Sequence, residues 1–217
     1  MTTATRPDHA RKPVSNAGPL QWRSIVDWLR ADGVISAEQA ERTIARCAQA
    51  ESSQHPLVRL GNLSMLRAAD DKPLDVDMLT EYVAQRCGLA FLRIDPLKVD
   101  VGRVADAMSA SYAERHKVLP VQVSGSEVVV ATAEPFVNDW VAEVERQTKR
   151  QVRRVLANPQ HITRYTAEFF ALAKSVREAN KSGGSAGGSS FEQLVELGKS
   201  NKQLDANDQG VIRVVDW

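Results

Sequence analysis

The sequence predicts an α+β fold: an N-terminal all-α region of tandem helical hairpins, followed by a small domain with the order α-β-β-α-β-α. Three observations lead there. Apolar residues recur at helical spacing in two successive units before residue 90, each unit carrying an N-cap residue. Two β-branched runs, VLPVQV and EVVVAT, follow around Ser124-Gly125-Ser126, a hairpin signal. A third extended run at 151–157 stands between amphipathic segments, and Asn158-Pro159 opens the last helix with proline at its favoured first position.

Residues 1–19 are rich in Thr, Pro, Ala and basic side chains without periodicity, as a flexible tail would be. Trp22, Ile25, Val26, Trp28 and Leu29 then fall at helical spacing, and Gly33 closes the run as a C-cap glycine does. Ser36 and Gln39 make a capping-box pair ahead of a helix carrying Ala40, Ile44, Ala45 and Ala48. The second unit begins with a short amphipathic piece, from Arg59 to Leu66. Asp75 then caps a helix with Met78, Leu79, Tyr82, Val83 and Cys87 on its core face. Laid over each other, the units align Ile35 with Leu74, Ser36 with Asp75, Ala40 with Leu79 and Ile44 with Val83. Hairpins this short cannot bury their apolar faces alone, so they are expected to stack.

Phe91 to Ile94 reads as a short strand or extended arm before Asp95-Pro96. Val101, Val104, Ala105, Met108, Tyr112 and Ala113 form one helical stripe, and Val137, Trp140, Val141 and Val144 another. Helices are expected on one face of a small sheet. The domain boundaries that follow are 20–92 for the helical repeats and 93–175 for the α+β domain. Residues 176–190, with their KSGGSAGGSS core, are a linker by composition. Residues 191–217 lead into something further: the chain stops inside an apolar run with no cap, so Trp217 is read as a cut.

Composition narrows the function. The 217 residues are 43% apolar and 25% charged, ordinary for a globular protein. A net charge of +1 gives no global field toward nucleic acid or anionic lipid. No apolar stretch approaches the ~18–20 residues of a membrane span, and the basic N-terminus has no apolar core behind it, so no secretory signal is read. Cys47 and Cys87 are too far apart for a CxxC unit and read as reduced thiols. The expected compartment is the cytoplasm. No metal site is expected, because His9, His55, His116 and His161 lack ligand spacing. No cofactor and no catalytic constellation emerge either. In particular, no G-x-x-x-x-G-K-[ST] loop is present to cradle a triphosphate.

Several segments resemble a known family: Leu92-Arg93-Ile94-Asp95-Pro96-Leu97, Leu119-Pro120-Val121, Val130-Ala131-Thr132-Ala133-Glu134-Pro135 and Val155-Leu156-Ala157. They are similar to the N-terminal domain of type II secretion and type IV pilus assembly ATPases. The paired helical units resemble the tandem repeats that precede this domain, and residues 204–212 resemble the lead-in to the motor. The resemblance implies a non-catalytic regulatory and docking region. Its partners would be the cytoplasmic domain of a membrane-anchored platform protein and the ATPase motor in cis, with recruitment to the inner membrane through the partner.

The resemblance also points to residues. In some relatives an Arg-Leu-Gly opening on each repeat binds cyclic di-GMP, which makes Arg59, Leu60 and Gly61 candidate ligand residues and a second-messenger sensor the alternative function. Arg can fork a phosphate or a guanine edge, and Gly lets the backbone approach. Here the first unit has Ser24-Ile25-Val26 at the matching positions, and Ala68 replaces the downstream glycine. Trp22 and Trp28 are candidate docking residues if exposed. Arg146, Lys149, Arg150, Arg153 and Arg154 form a basic cluster, read as a solvated face or a patch for an acidic protein partner. Because the phosphate loop is missing, the purified chain is expected to turn over no ATP above buffer background in a coupled assay. Turnover that survives extensive purification would overturn that expectation.

Overall fold

The computed structural model describes residues 18–182, and they form eight α-helices and a four-stranded sheet. The helical part comprises α1 (Trp22–Ala31), α2 (Ala37–Gln49), α3 (Pro56–Gly61) and α4 (Val76–Cys87). Its boundaries follow local chemistry. Ser36 Oγ accepts from the Gln39 N–H and Asp75 from the Met78 N–H, so the two aligned positions are both N-caps. Gln39 does not complete a capping box: its amide, suitably oriented, brackets the Leu66 backbone instead. At α3 the cap is His55, whose Nδ1 accepts from the Leu57 N–H, with Pro56 at the first helical position. Gly88 ends α4 in the left-handed conformation at φ 70°, which brings the Leu89 N–H onto the Ala84 carbonyl.

The core of this part contains Ile25, Leu29, Ile35, Leu60, Leu74, Leu79 and Val83. On α2 the buried residues are Ala40, Thr43 and Cys47, whereas Ala45 and Ala48 are exposed and Ile44 is half-buried. The inner stripe is therefore rotated from the expected one. Alanine on every side of α2 made the stripe ambiguous by pattern, and contact with α1 settles it.

Four strands follow: β1 (Ala90–Phe91), β2 (Val118–Val123), β3 (Glu127–Thr132) and β4 (Gln151–Leu156). Their spatial order is β1-β4-β3-β2. The β2–β3 pair is antiparallel, while β1 and β3 both run parallel to β4. The stripe from Val101 to Ala113 is two helices, α5 (Val101–Ala107) and α6 (Ala110–His116). Met108 is extended between them, and Ser109 caps the second. An N-cap serine inside an unbroken apolar periodicity is the break.

Helices also cover both faces of the sheet, not one. Val129, Ala131 and Val155 pack with α5 and with Ile162 and Phe169 of α8 (Pro159–Ser182). Val128 and Val130 pack with α6, Trp140 and Val144 of α7 (Val141–Thr148). Strands buried on both sides read as continuous apolar runs, which is how EVVVAT is written. The final helix α8 continues to Ser182, inside the segment 176–190 that composition assigns to a linker. Helix-forming residues precede the first glycine, with Lys174 and Glu178 spaced to pair. Residues 1–17 and 183–217 lie outside the described residues, including the segment read as a motor lead-in. Among the described residues no helix is long and apolar enough to cross a membrane.

The helical part and the sheet share a core. Leu156 of β4 belongs to the helical cluster, Phe136 packs against it, and the Trp28 and Phe136 rings meet edge to face at 6.4 Å. Leu79 has no exposed surface, so Leu79→Ala should cost ~2–5 kcal/mol in urea unfolding. Leu97→Ala is the control, because Leu97 is 95% exposed and its loss should stay within ~0.5 kcal/mol.

Candidate functional site

Arg59 lies on α3, one turn after His55. Its guanidinium donates to the Cys47 carbonyl at 2.6 Å and to the Ala50 carbonyl, and it stacks over Trp22 with the charge 5.4 Å from the ring centre. These carbonyls belong to the C-terminal end of α2, where helix acceptors lack intrahelical donors and the macrodipole favours a cation. Leu60 is fully buried. A Cβ on Gly61 would stand 2.6 Å from Val76 Cγ2 and 3.1 Å from the Val76 nitrogen, so Gly61 lets α3 pass close to the start of α4. The structure thus brings Arg59, Leu60 and Gly61 together in one turn, and each has an internal structural partner. Trp28 is a core residue at 8% exposure, beneath Phe136 and the Arg86 guanidinium, which removes it as a docking surface. Trp22 is half-buried, and Arg59 covers its ring.

A connected polar site lies where the helices meet the sheet. Register pairs Phe91 and Thr132 with Leu156, so β1, β3 and β4 all end on one rim. Glu134, just past β3, accepts from the Leu20 N–H at 2.6 Å, and its other oxygen lies 3.2 Å from His55 Nε2, within ion-pair distance but off the hydrogen-bond axis. Asn158, just past β4, donates to Asp77 of α4 at 2.7 Å and accepts from the Gln160 N–H. Asp77 also holds Arg93 at 2.9 Å. Each side chain after a parallel strand therefore reaches across to the helical part. Between α3 and the first turns of α8, on the same rim, opens a cleft of about 430 Å³.

Residues 87–176 match the family model described as the MshEN domain, a match that starts ahead of β1 and runs into α8. Those residues are an MshEN domain. The chain is also homologous to the type IV pilus assembly ATPase TfpB of Acinetobacter baylyi, with 31% identity over 203 residues. That alignment takes in 91% of this chain and 34% of TfpB, so the chain spans about a third of that protein's length. Among solved structures, MshE with cdg aligns with 67% of this chain and 97% of its own at 15% identity and a TM-score of 0.46. The N-terminal domain of XpsE aligns with 66% and 91% at 16% identity and a TM-score of 0.43.

Within the MshEN domain the basic cluster is dispersed. Arg146 pairs with Glu143, and Arg153 pairs with Glu127 at 3.0 Å. Arg150 donates to the Ser124 carbonyl and Arg154 to the Pro135 carbonyl. Glu145 caps the outward-facing N–H of Val152 on β4. The sequence pattern did not reveal the roles of His55 and Glu134 or the reach of Asn158 to Asp77. The available signals were a residue able to accept immediately before Pro56 and another before Pro159, the N-cap position in each case. Glu134 also precedes a proline but caps no helix, so the same sign there did not point to its role. Glu134→Ala leaves the Leu20 N–H without its acceptor and should cost ~1–3 kcal/mol. Glu134→Gln keeps an acceptor and should cost less. Urea unfolding of both variants checks the ranking, and equal losses would show that shape rather than the acceptor matters.

Proposed function

We propose that this chain is the non-catalytic regulatory and docking region of a secretion or pilus assembly ATPase, linking its motor to a membrane-anchored platform protein. The homology to TfpB over nearly the whole chain carries this reading, because the matched third of that ATPase corresponds here to a sequence without a phosphate-binding loop. In this reading the helical part is a pair of stacked hairpins, supported by the matching caps at Ser36 and Asp75 and the matched burial of Ala40 with Leu79. Residues 176–190 tether it to the motor, residues 191–217 lead in, and the whole works on the cytoplasmic side of the inner membrane.

The helical part is the docking side. With Trp28 in the core, the surface it offers is the outer face of α2, where Glu38, Glu41, Arg42 and Arg46 are exposed. The sheet, covered on both faces, has less to offer. The cyclic di-GMP alternative requires Arg59 to leave two carbonyls and the Trp22 ring, which would uncap α2. Docking on α2 leaves those contacts intact and is the preferred reading.

A pull-down with the full chain and cytoplasmic domains of secretion and pilus platform proteins tests this. Arg42→Glu with Arg46→Glu should abolish capture, and Leu97→Asp on the sheet domain should not. The opposite pattern would place docking on the sheet domain. Calorimetry with cyclic di-GMP is expected to show no saturable heat. Saturable heat lost in Arg59→Ala would favour the sensor.

A further inference from the structure

The cleft on the rim has no role in the docking reading, yet it is the place where both halves of the molecule present side chains to one space. One wall is α3 with His55 and Val58. The facing wall is the first two turns of α8, with Pro159 and Ile162, and Ala133 lies beside Glu134 past the end of β3. Open α/β sheets bind ligands outside the carboxyl ends of parallel strands, because the connecting segments splay apart there. The three parallel strands of this sheet end on this rim. The volume, about 430 Å³, falls in the range of small-ligand sites, as does a mainly apolar lining with a few polar groups.

The charges around the cleft are unequal. Glu134 already faces the Leu20 N–H and His55, and Arg164 is paired with Glu168 at 2.7 Å. Lys117, held at φ 51° after α6, points no ammonium at a carboxylate within ion-pair distance among the described residues. The amino end of α8, a 24-residue helix, adds its positive dipole end to the same space. A group that enters meets apolar walls, an available cation and a helix N-terminus.

We infer that this cleft binds a small organic anion with an apolar body, its acidic group on Lys117 and its body against Val58, Pro159 and Ile162. Such a ligand touches the helical part and the sheet domain at once. Its binding therefore stabilises their packed arrangement by mass action, and occupancy becomes a means of regulating how firmly the halves are held.

The test uses the full chain and two aromatic probes of similar shape, anionic 1-anilinonaphthalene-8-sulfonate and neutral N-phenyl-1-naphthylamine. Fluorescence titration should give one saturable site for the anionic probe, at least tenfold tighter than for the neutral one. Lys117→Gln should remove that preference, while Arg115→Gln, an exposed cation outside the cleft lining, should leave it intact. Thr163→Trp, on the exposed rim of α8, should block both probes without loss of helical circular dichroism. Methyl resonances of Val58, Ala133 and Ile162 should shift with the same midpoint. Equal affinity for the two probes, binding that survives Thr163→Trp, or shifts confined to other methyls would overturn the assignment.

Discussion

The end of β4 carries two cores at once. Along a strand, successive side chains point to opposite faces, so Val155 and Ala157 enter the cluster beneath α8 while Leu156 between them enters the helical cluster. None of Leu156 is exposed, and burying a leucine contributes about 1.5–3 kcal/mol. The register of β4 against β3 therefore decides more than the sheet. A slip of one residue would turn Leu156 away from the helices and send its neighbours into them. The register also places Asn158 within reach of Asp77, and the matching position past β3 places Glu134 against Leu20 and His55. The polar contacts across the seam are possible only because the apolar alternation has fixed the strand first.

The Arg-Leu-Gly turn also makes internal structural contacts. The short helix α3 must lie against α4, which Gly61 allows by presenting no Cβ to Val76. It must also close the end of α2, which Arg59 does by donating to two carbonyls that the helix leaves open. Trp22 then covers the guanidinium. An arginine used this way is neutralised by carbonyl dipoles and a ring face, not by a carboxylate. A phosphate would satisfy it better, but would leave the α2 terminus unsatisfied. A ligand there would compete with these carbonyls for one fork of donors.

What could be read from the sequence was chiefly local. The caps at Ser36 and Asp75, the hairpin at Ser124 to Ser126 and the start of α8 each rest on contacts within a few residues. Each was visible as a residue type at a spacing. The division of the stripe at Met108 was hidden because Ser109 sits within a helical periodicity that continues across it. The two-sided cover of the sheet was written in EVVVAT, but a continuous apolar run does not say which helix lies on which face. On α2, alanines blurred the inner face until contact with α1 fixed it. The candidate site was hardest, since Glu134 and His55, or Asn158 and Asp77, are far apart in sequence. Nothing in a glutamate before a proline announces that its partners are a backbone N–H near the start of the chain and a histidine capping a helix.

In the proposed docking role the region would have to transmit force without coming apart, and the seam bears on how it would. Breaking it exposes Leu156, Phe136 and the Trp28 edge to water and strips Glu134 and Asn158 of partners in the same motion. Loss of apolar burial and loss of buried hydrogen bonds therefore fall together, which makes opening cooperative rather than gradual. Polar contacts at the rim depend on direction as the apolar core does not, so small sliding movements along the seam are resisted by Glu134 and Asn158 before Leu156 is uncovered. A partner on the outer face of α2 would pull on the helices, and the load would pass through β4 into the sheet and along α8. The first turn of α8 also forms a wall of the rim cleft, so in that reading a ligand bound there would bear on the same seam.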